Sequence, residues 1–249
     1  MAKPRHLEHA PITEALIDIQ VKHQDGLSIG ALQEAFTALD FGYYFKGLIS
    51  EGTFGIKLTS DGLEPQTTAK AAPVGVRLHS SDDKYVAQCR LAGFTLSRLE
   101  PYETWTQLLQ ETQRVWSLYR DRLKPAQVTR VATRFINNLR LPMEQGASFQ
   151  KYLQKFADVP DEAPQALASF FQRFQLVDAP RNAFVNLTLA LESNPPGEPS
   201  PVILDVDAFT FPDLAPGDEE LWAILHHLRD LKNRCFFGCL TERAVELYG

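Results

Sequence analysis

Six charged residues on three separate segments could carry chemistry: Glu14 and Asp18 in "ITEALIDIQV", Arg130 and Arg134 in "VTRVATRFINN", and Asp205 and Asp207 in "VILDVDAF". Each segment reads as a strand, in which alternate residues share a face. In the first, Ile12, Glu14, Leu16, Asp18 and Gln20 oppose Thr13, Ala15, Ile17, Ile19 and Val21. The same alternation groups Arg130, Ala132, Arg134, Ile136 and Asn138 in the second, and Ile203, Asp205, Asp207 and Phe209 in the third. Two chemistries fit. Carboxylates converging on one point, with Asp205, Asp207 and Glu14 as ligands, would hold a hard divalent cation for phosphoryl or nucleotidyl transfer. Alternatively, the two arginines grip an anionic ligand or an acidic partner segment through bidentate bonds, and the acids hold the guanidinium groups in place. If the strand faces coincide and are partly covered, Glu14 and Asp18 are expected to pair with the arginines of "TRVATR".

The remaining constellations are weaker. His226 and His227 are consecutive on a helix and diverge by about 100°, so they cannot chelate one ion together. Cys235 and Cys239 share that segment without the spacing of a zinc site, and no cofactor or metal is expected. No G-x-S-x-G motif and no Gly-rich phosphate cradle occurs. In "LKNRCFFGCLTE", Lys232 and Asn233 are expected to complement a helix C-terminus, with Gly238 as its stop.

The chain that must position these groups has 249 residues, 44% of them hydrophobic and 10% aromatic, enough for one α+β domain over 1–249 with a large core. A net charge of −6 gives no footprint for general nucleic-acid binding. No apolar run reaches the roughly 18 residues of a membrane span, and the start lacks the apolar stretch of a secretory signal, so no membrane association and a cytoplasmic location are expected. Three cysteines without a C-x-x-C pair read as reduced thiols.

A helix is expected over "GLSIGALQEAFTAL", with Ser28 as N-cap and Ile29, Leu32, Ala35, Phe36 and Leu39 at helical spacing. A strand at "TFGIKL" and a flexible loop over 59–73 follow, then a hairpin of "VGVRLHS" and "KYVAQCRL" and a strand "GFTLSRL". From Pro101 the period lengthens to 3.6, with Trp105, Leu108, Leu109, Thr112, Val115, Trp116, Tyr119 and Leu123 on one stripe, ended by Pro125. Two short helices are expected at "SFQKYLQKF" and "EAPQALASFFQRFQL". Strands "AFVNLTLALES" and "PVILDVDAFTF" follow, then a long helix from about Asp218 with Leu221, Trp222, Leu225, Leu228, Leu231, Lys232, Cys235 and Phe236 on one side. Both halves, 11–125 and 126–245, run strand, helix, strands, long helix. This order points to a pseudo-twofold duplication around a mainly antiparallel, curved sheet.

Five anchors carry a resemblance: "PITEALIDI" at 11–19, "FTLSRLEPYETW" at 94–105, "RVATRFINN" at 130–138, "VILDVD" at 202–207 and "LKNRCFFGCLT" at 231–241. In that order, across nearly the whole chain, they resemble a sporadically distributed, uncharacterised family of bacterial and archaeal proteins. The family often has an acidic residue after the aromatic of the last anchor, where this chain has Phe237. Its patchy distribution implies mobile-element, defence or toxin–antitoxin contexts.

The functional expectation is a non-enzymatic binding module for a protein partner or a small anionic ligand, since no anchor holds a complete catalytic or cofactor constellation. Its rival is a metal-dependent phosphoryl-transfer or nuclease-like enzyme using Glu14, Asp205 and Asp207. A third, weaker reading places a ligand pocket between sheet and helices, lined by Phe94, Trp105, Trp116 and Trp222, residues that core packing explains better.

Overall fold

The computed structural model describes residues 2–23, 27–37, 41–51, 54–59, 62–67, 72–142, 149–154, 159–160, 162–164, 167–191 and 201–249. Strand alternation builds one nine-stranded antiparallel sheet from β1 (Ile12–Lys22), β2 (Tyr43–Glu51), β5 (Ala72–Ser80), β6 (Tyr85–Arg90), β7 (Gly93–Leu99), β8 (Gln127–Leu139), β9 (Phe170–Asp178), β10 (Ala183–Leu191) and β11 (Val202–Thr210). Their order is β2-β5-β6-β7-β1-β8-β11-β10-β9. The helices are α1 (Ile29–Thr37), α2 (Trp105–Leu123), α3 (Glu220–Cys239) and the short α4 (Glu242–Val245). The fold is therefore α+β.

The order runs outward from the central pair β1 and β8 in the same way on both sides: β7, β6 and β5 beyond β1, and β11, β10 and β9 beyond β8, each half followed by a long helix. Symmetry of order stops at α1. Its counterpart, the first helix expected after β8, is only a 3-10 turn at Phe149–Lys151 among the described residues.

The apolar parity of the strands buries Ala15, Ile17 and Ile19 of β1, Phe135 and Leu139 of β8, and Leu204 and Val206 of β11. The three longer helices cover this face. The expected stripe of α2 is buried at all eight positions, and Thr104 caps the helix by accepting from the Gln107 N–H at 3.2 Å. Ser28 caps α1 in the same way, accepting from the Ala31 N–H, while Leu39 lies outside the described residues.

Three local expectations are corrected. The expected loop over 59–73 holds strand β4 (Gly62–Thr67), which pairs with β3 (Phe54–Thr59) in a separate two-stranded ribbon. Pro65 is tolerated there because a ribbon strand has an unpaired edge. Phe170 to Leu176, expected as the end of a helix, belongs to β9. Its helix formers yield to the ladder that β10 offers, with Leu187 opposite Phe174. Finally, α3 does not stop at Gly238 but runs through it to Cys239. No described helix is long and apolar enough to cross a membrane. All three cysteines are free thiols.

One glycine sets how closely β7 approaches β1. A Cβ at Gly93 would lie 2.6 Å from the Ile19 carbonyl oxygen, in the centre of the sheet. Gly93→Ala is therefore expected to destabilise by about 1–3 kcal/mol, because backbone must shift to admit the methyl. Urea denaturation measures it, and an unchanged midpoint would contradict the close approach.

Candidate functional site

Two regions concentrate polar chemistry, one on each face of the sheet. The six predicted residues share the face that the described helices leave uncovered. Register decides which of them meet. Arg130 on β8 donates to Asp18 of β1 at 3.0 Å and to Asp207 of β11 at 3.3 Å, and its guanidinium lies 4.6 Å from the Phe209 ring centroid. Arg134 holds both oxygens of Asp205, with contacts of 2.6 to 3.1 Å. This hydrogen bonding raises the Arg134 pKa. Burial raises that of Asp207, against the pull of Arg130 and of the Asn186 amide.

Expected pairing is thus met at Asp18 and corrected at Arg134. The partner of Arg134 is Asp205; Glu14 sits opposite Ile136 and Leu99, with no ion pair within 4 Å among the described residues. Sequence reasoning missed Arg90 and Thr95, which complete the shell of Asp18 with contacts of 2.6 Å each. A signal was present in Gly75, which lies opposite Arg90 on β5: a Cβ there would lie 2.8 Å from the Arg90 Cγ, so the glycine leaves room for the arginine side chain on this face.

Glu14, Asp205 and Asp207 share a face without converging on a point. Asp205 is saturated by Arg134, and Asp207 is held by Arg130 and Asn186. Among the described residues no three His, Cys, Asp or Glu side chains gather as metal ligands. The face is a cross-strand charge ladder in which each aspartate is engaged. A double-mutant cycle between Arg134 and Asp205 is expected to give about 1–2 kcal/mol of coupling, and one between Arg134 and Glu14 less than about 0.5 kcal/mol. Equal couplings would contradict this register.

The second region is a cavity of about 790 Å³ on the helix-covered side. Its floor is Phe135 and Asn137 of β8. One wall is α3, with His226, Arg229, Lys232 and Phe236; another is the segment Tyr102–Thr104 with Trp105 at the start of α2; the N-terminal stretch around Arg5 forms the rim. Of the aromatics considered for a pocket, Trp105 reaches it, whereas Phe94 and Trp116 pack in the core. The Trp105 indole N–H donates to His226 Nδ1 at 3.3 Å, which joins the two long helices at this wall.

Four cationic side chains, Arg5, Arg229, Lys232 and Arg234, line the cavity against two carboxylates, Glu103 and Asp230. Several are already engaged. Arg5 pairs with Glu242 at 2.7 Å, Arg234 with Asp178 at 3.1 Å, and Glu103 with Arg98 at 3.0 Å. Among the described residues, the ion pair of Arg229 is a 3.4 Å contact to its chain neighbour Asp230.

Lys232 has no ion pair or hydrogen bond among the described residues, although it is 7% exposed. Its Nζ lies 3.6 Å from the Phe135 ring centroid, a cation–π contact. Burial, reinforced by Arg229, pushes its pKa down to about 7. The expected helix-end role is corrected here: Lys232 points into the cavity lining, about two turns before the end of α3, beyond the reach of the terminal dipole. No protein-family model matches the chain, and no curated protein matches it either.

Proposed function

We propose that the protein is a non-enzymatic binding module for a small anionic molecule seated in the cavity beside α3. The observation that carries this reading is the cationic imbalance of the lining: among the described residues Lys232 has no ion pair and Arg229 has a 3.4 Å one to Asp230, at a concave site of ligand size. Phe135, Tyr102 and Trp105 supply apolar surface for the body of such a ligand, and Arg229 supplies a planar fork for a carboxylate or phosphate. The ladder on the opposite face has a structural role in this account, since Asp18, Asp205 and Asp207 each pair with an arginine. The mobile-element or defence setting implied by the five sequence anchors belongs to the same proposal.

A thermal-shift panel of pyruvate, citrate and inorganic phosphate tests it. At least one anion is expected to raise the melting temperature saturably in the wild type and to lose that effect in Arg229→Met. Sodium chloride at matched ionic strength is expected to have no comparable effect. A panel in which no anion acts beyond the salt control would overturn the reading.

A further inference from the structure

Among the described residues, buried charge elsewhere in this protein is matched by opposite charge. Asp18, at 8% exposure, has Arg90 and Arg130, and Arg98, at 5%, has Glu103. Lys232 is as buried as these and has neither a carboxylate within 4 Å nor a hydrogen bond among the described residues. Removing an ammonium from water without such compensation is costly, so stability does not account for a lysine at this position. Its amine lines a cavity large enough for a small molecule, with Arg229 one turn earlier on the same side of α3. A lysine in apolar surroundings beside a second cation has the environment of a nucleophilic amine. The lowered proton affinity of Lys232 agrees with that geometry, with burial the larger cause and Arg229 the second.

We propose that Lys232 is a carbonyl-capturing amine, forming a reversible imine with a small oxoacid whose acidic group seats on Arg229. The proposal rests on the anion-binding reading of the same cavity and adds the ligand's second functional group. The Nζ lone pair attacks the carbonyl carbon, and the carbonyl π pair moves to oxygen, which takes up a proton as nitrogen gives one up. The hydroxyl of the resulting carbinolamine takes up a proton from solvent and leaves as water while the nitrogen lone pair forms the C=N bond, which gives the protonated imine. No oxidant or reductant is consumed, and hydrolysis returns lysine and ligand unchanged. The Phe135 ring face beside Nζ then stabilises the protonated imine as it does the ammonium.

Trapping tests this directly. The full chain is incubated with glyoxylate and cyanoborohydride at neutral pH, and the reduced adduct is located by intact mass and peptide mapping. One adduct is expected at Lys232, formed about tenfold faster than at any surface lysine, and absent from Lys232→Met. Arg229→Met should slow trapping of glyoxylate about tenfold more than trapping of propionaldehyde, which has no acidic group and loses only the effect of Arg229 on the amine. Adducts spread over surface lysines with Lys232 unmodified would overturn the proposal. Calorimetry of glyoxylate without reductant separates the two layers. Saturable binding that Arg229→Met abolishes, with no adduct at Lys232, removes the imine and leaves the anion site. Absence of both removes both.

Discussion

Replacing Lys232 with Met is expected to stabilise the protein by about 4–5 kcal/mol at pH 6. An ordinary lysine titrates near 10.5, and burial brings this one down to about 7. Between those values the unfolded chain holds a proton that the native chain has released, so wild-type stability rises with pH across that window. Below about 7 both states are protonated, and the native state bears the full cost of a buried ammonium. Met, one atom shorter, keeps an unbranched side chain that can pack against Phe135 while removing the charge. The gain of Lys232→Met over wild type should shrink steadily from pH 7 towards 10.5 and then vanish. Urea denaturation at several pH values from 6 to 10 checks this, and a difference that does not change with pH would contradict it. A substitution that stabilises while abolishing ligand capture is the behaviour expected of a functional group held against the preference of the fold.

Trp116→Ala is expected to cost about 3–5 kcal/mol and to lower the melting temperature by about 10 °C. Trp116 is 1% exposed; its ring stacks on Tyr119 at 5.4 Å and lies 6.1 Å from Phe94. Its indole N–H donates to the Pro216 carbonyl at 3.3 Å, tying α2 to the segment that leads into α3. Truncation leaves a cavity lined by rigid rings that cannot collapse into it, and strands that carbonyl. A variant melting within a degree of the parent would contradict the packing of α2 on β7.

What could be read from the residues follows from the range of the physics involved. Side-chain parity is a local property, so the placing of Glu14 with Asp18, of Arg130 with Arg134 and of Asp205 with Asp207 on one face of each strand was legible from alternation alone, as was the stripe from Trp105 to Leu123; that the three faces coincide was not. Partner choice was not. Arg134 chooses Asp205 over Glu14 because β8 lies between β1 and β11 with a particular stagger, and that stagger is a property of the assembled sheet. β9 was misread for a related reason: Ala, Gln and Leu near it favour a helix, but an open ladder on β10 outweighs local preference. Lys232 marks another boundary of legibility. Helical spacing placed it on the apolar side of α3, yet its lack of a counter-ion depends on which residues β8 and the N-terminal stretch bring opposite it. An apolar-face lysine several residues before the apparent end of a helix was the available signal.

In the proposed function, ligand recognition resides in the cavity beside α3 and the charge ladder is structural. Isothermal titration calorimetry with pyruvate on wild type, Arg229→Met and Arg134→Met tests it most directly, since Arg229 lines the cavity and Arg134 stands on the opposite face of the sheet. The account predicts saturable binding in the wild type, about tenfold or greater weakening in Arg229→Met, and an unchanged affinity in folded Arg134→Met. Binding that survives Arg229→Met and is lost in a folded Arg134→Met would contradict it and place recognition on the open sheet face.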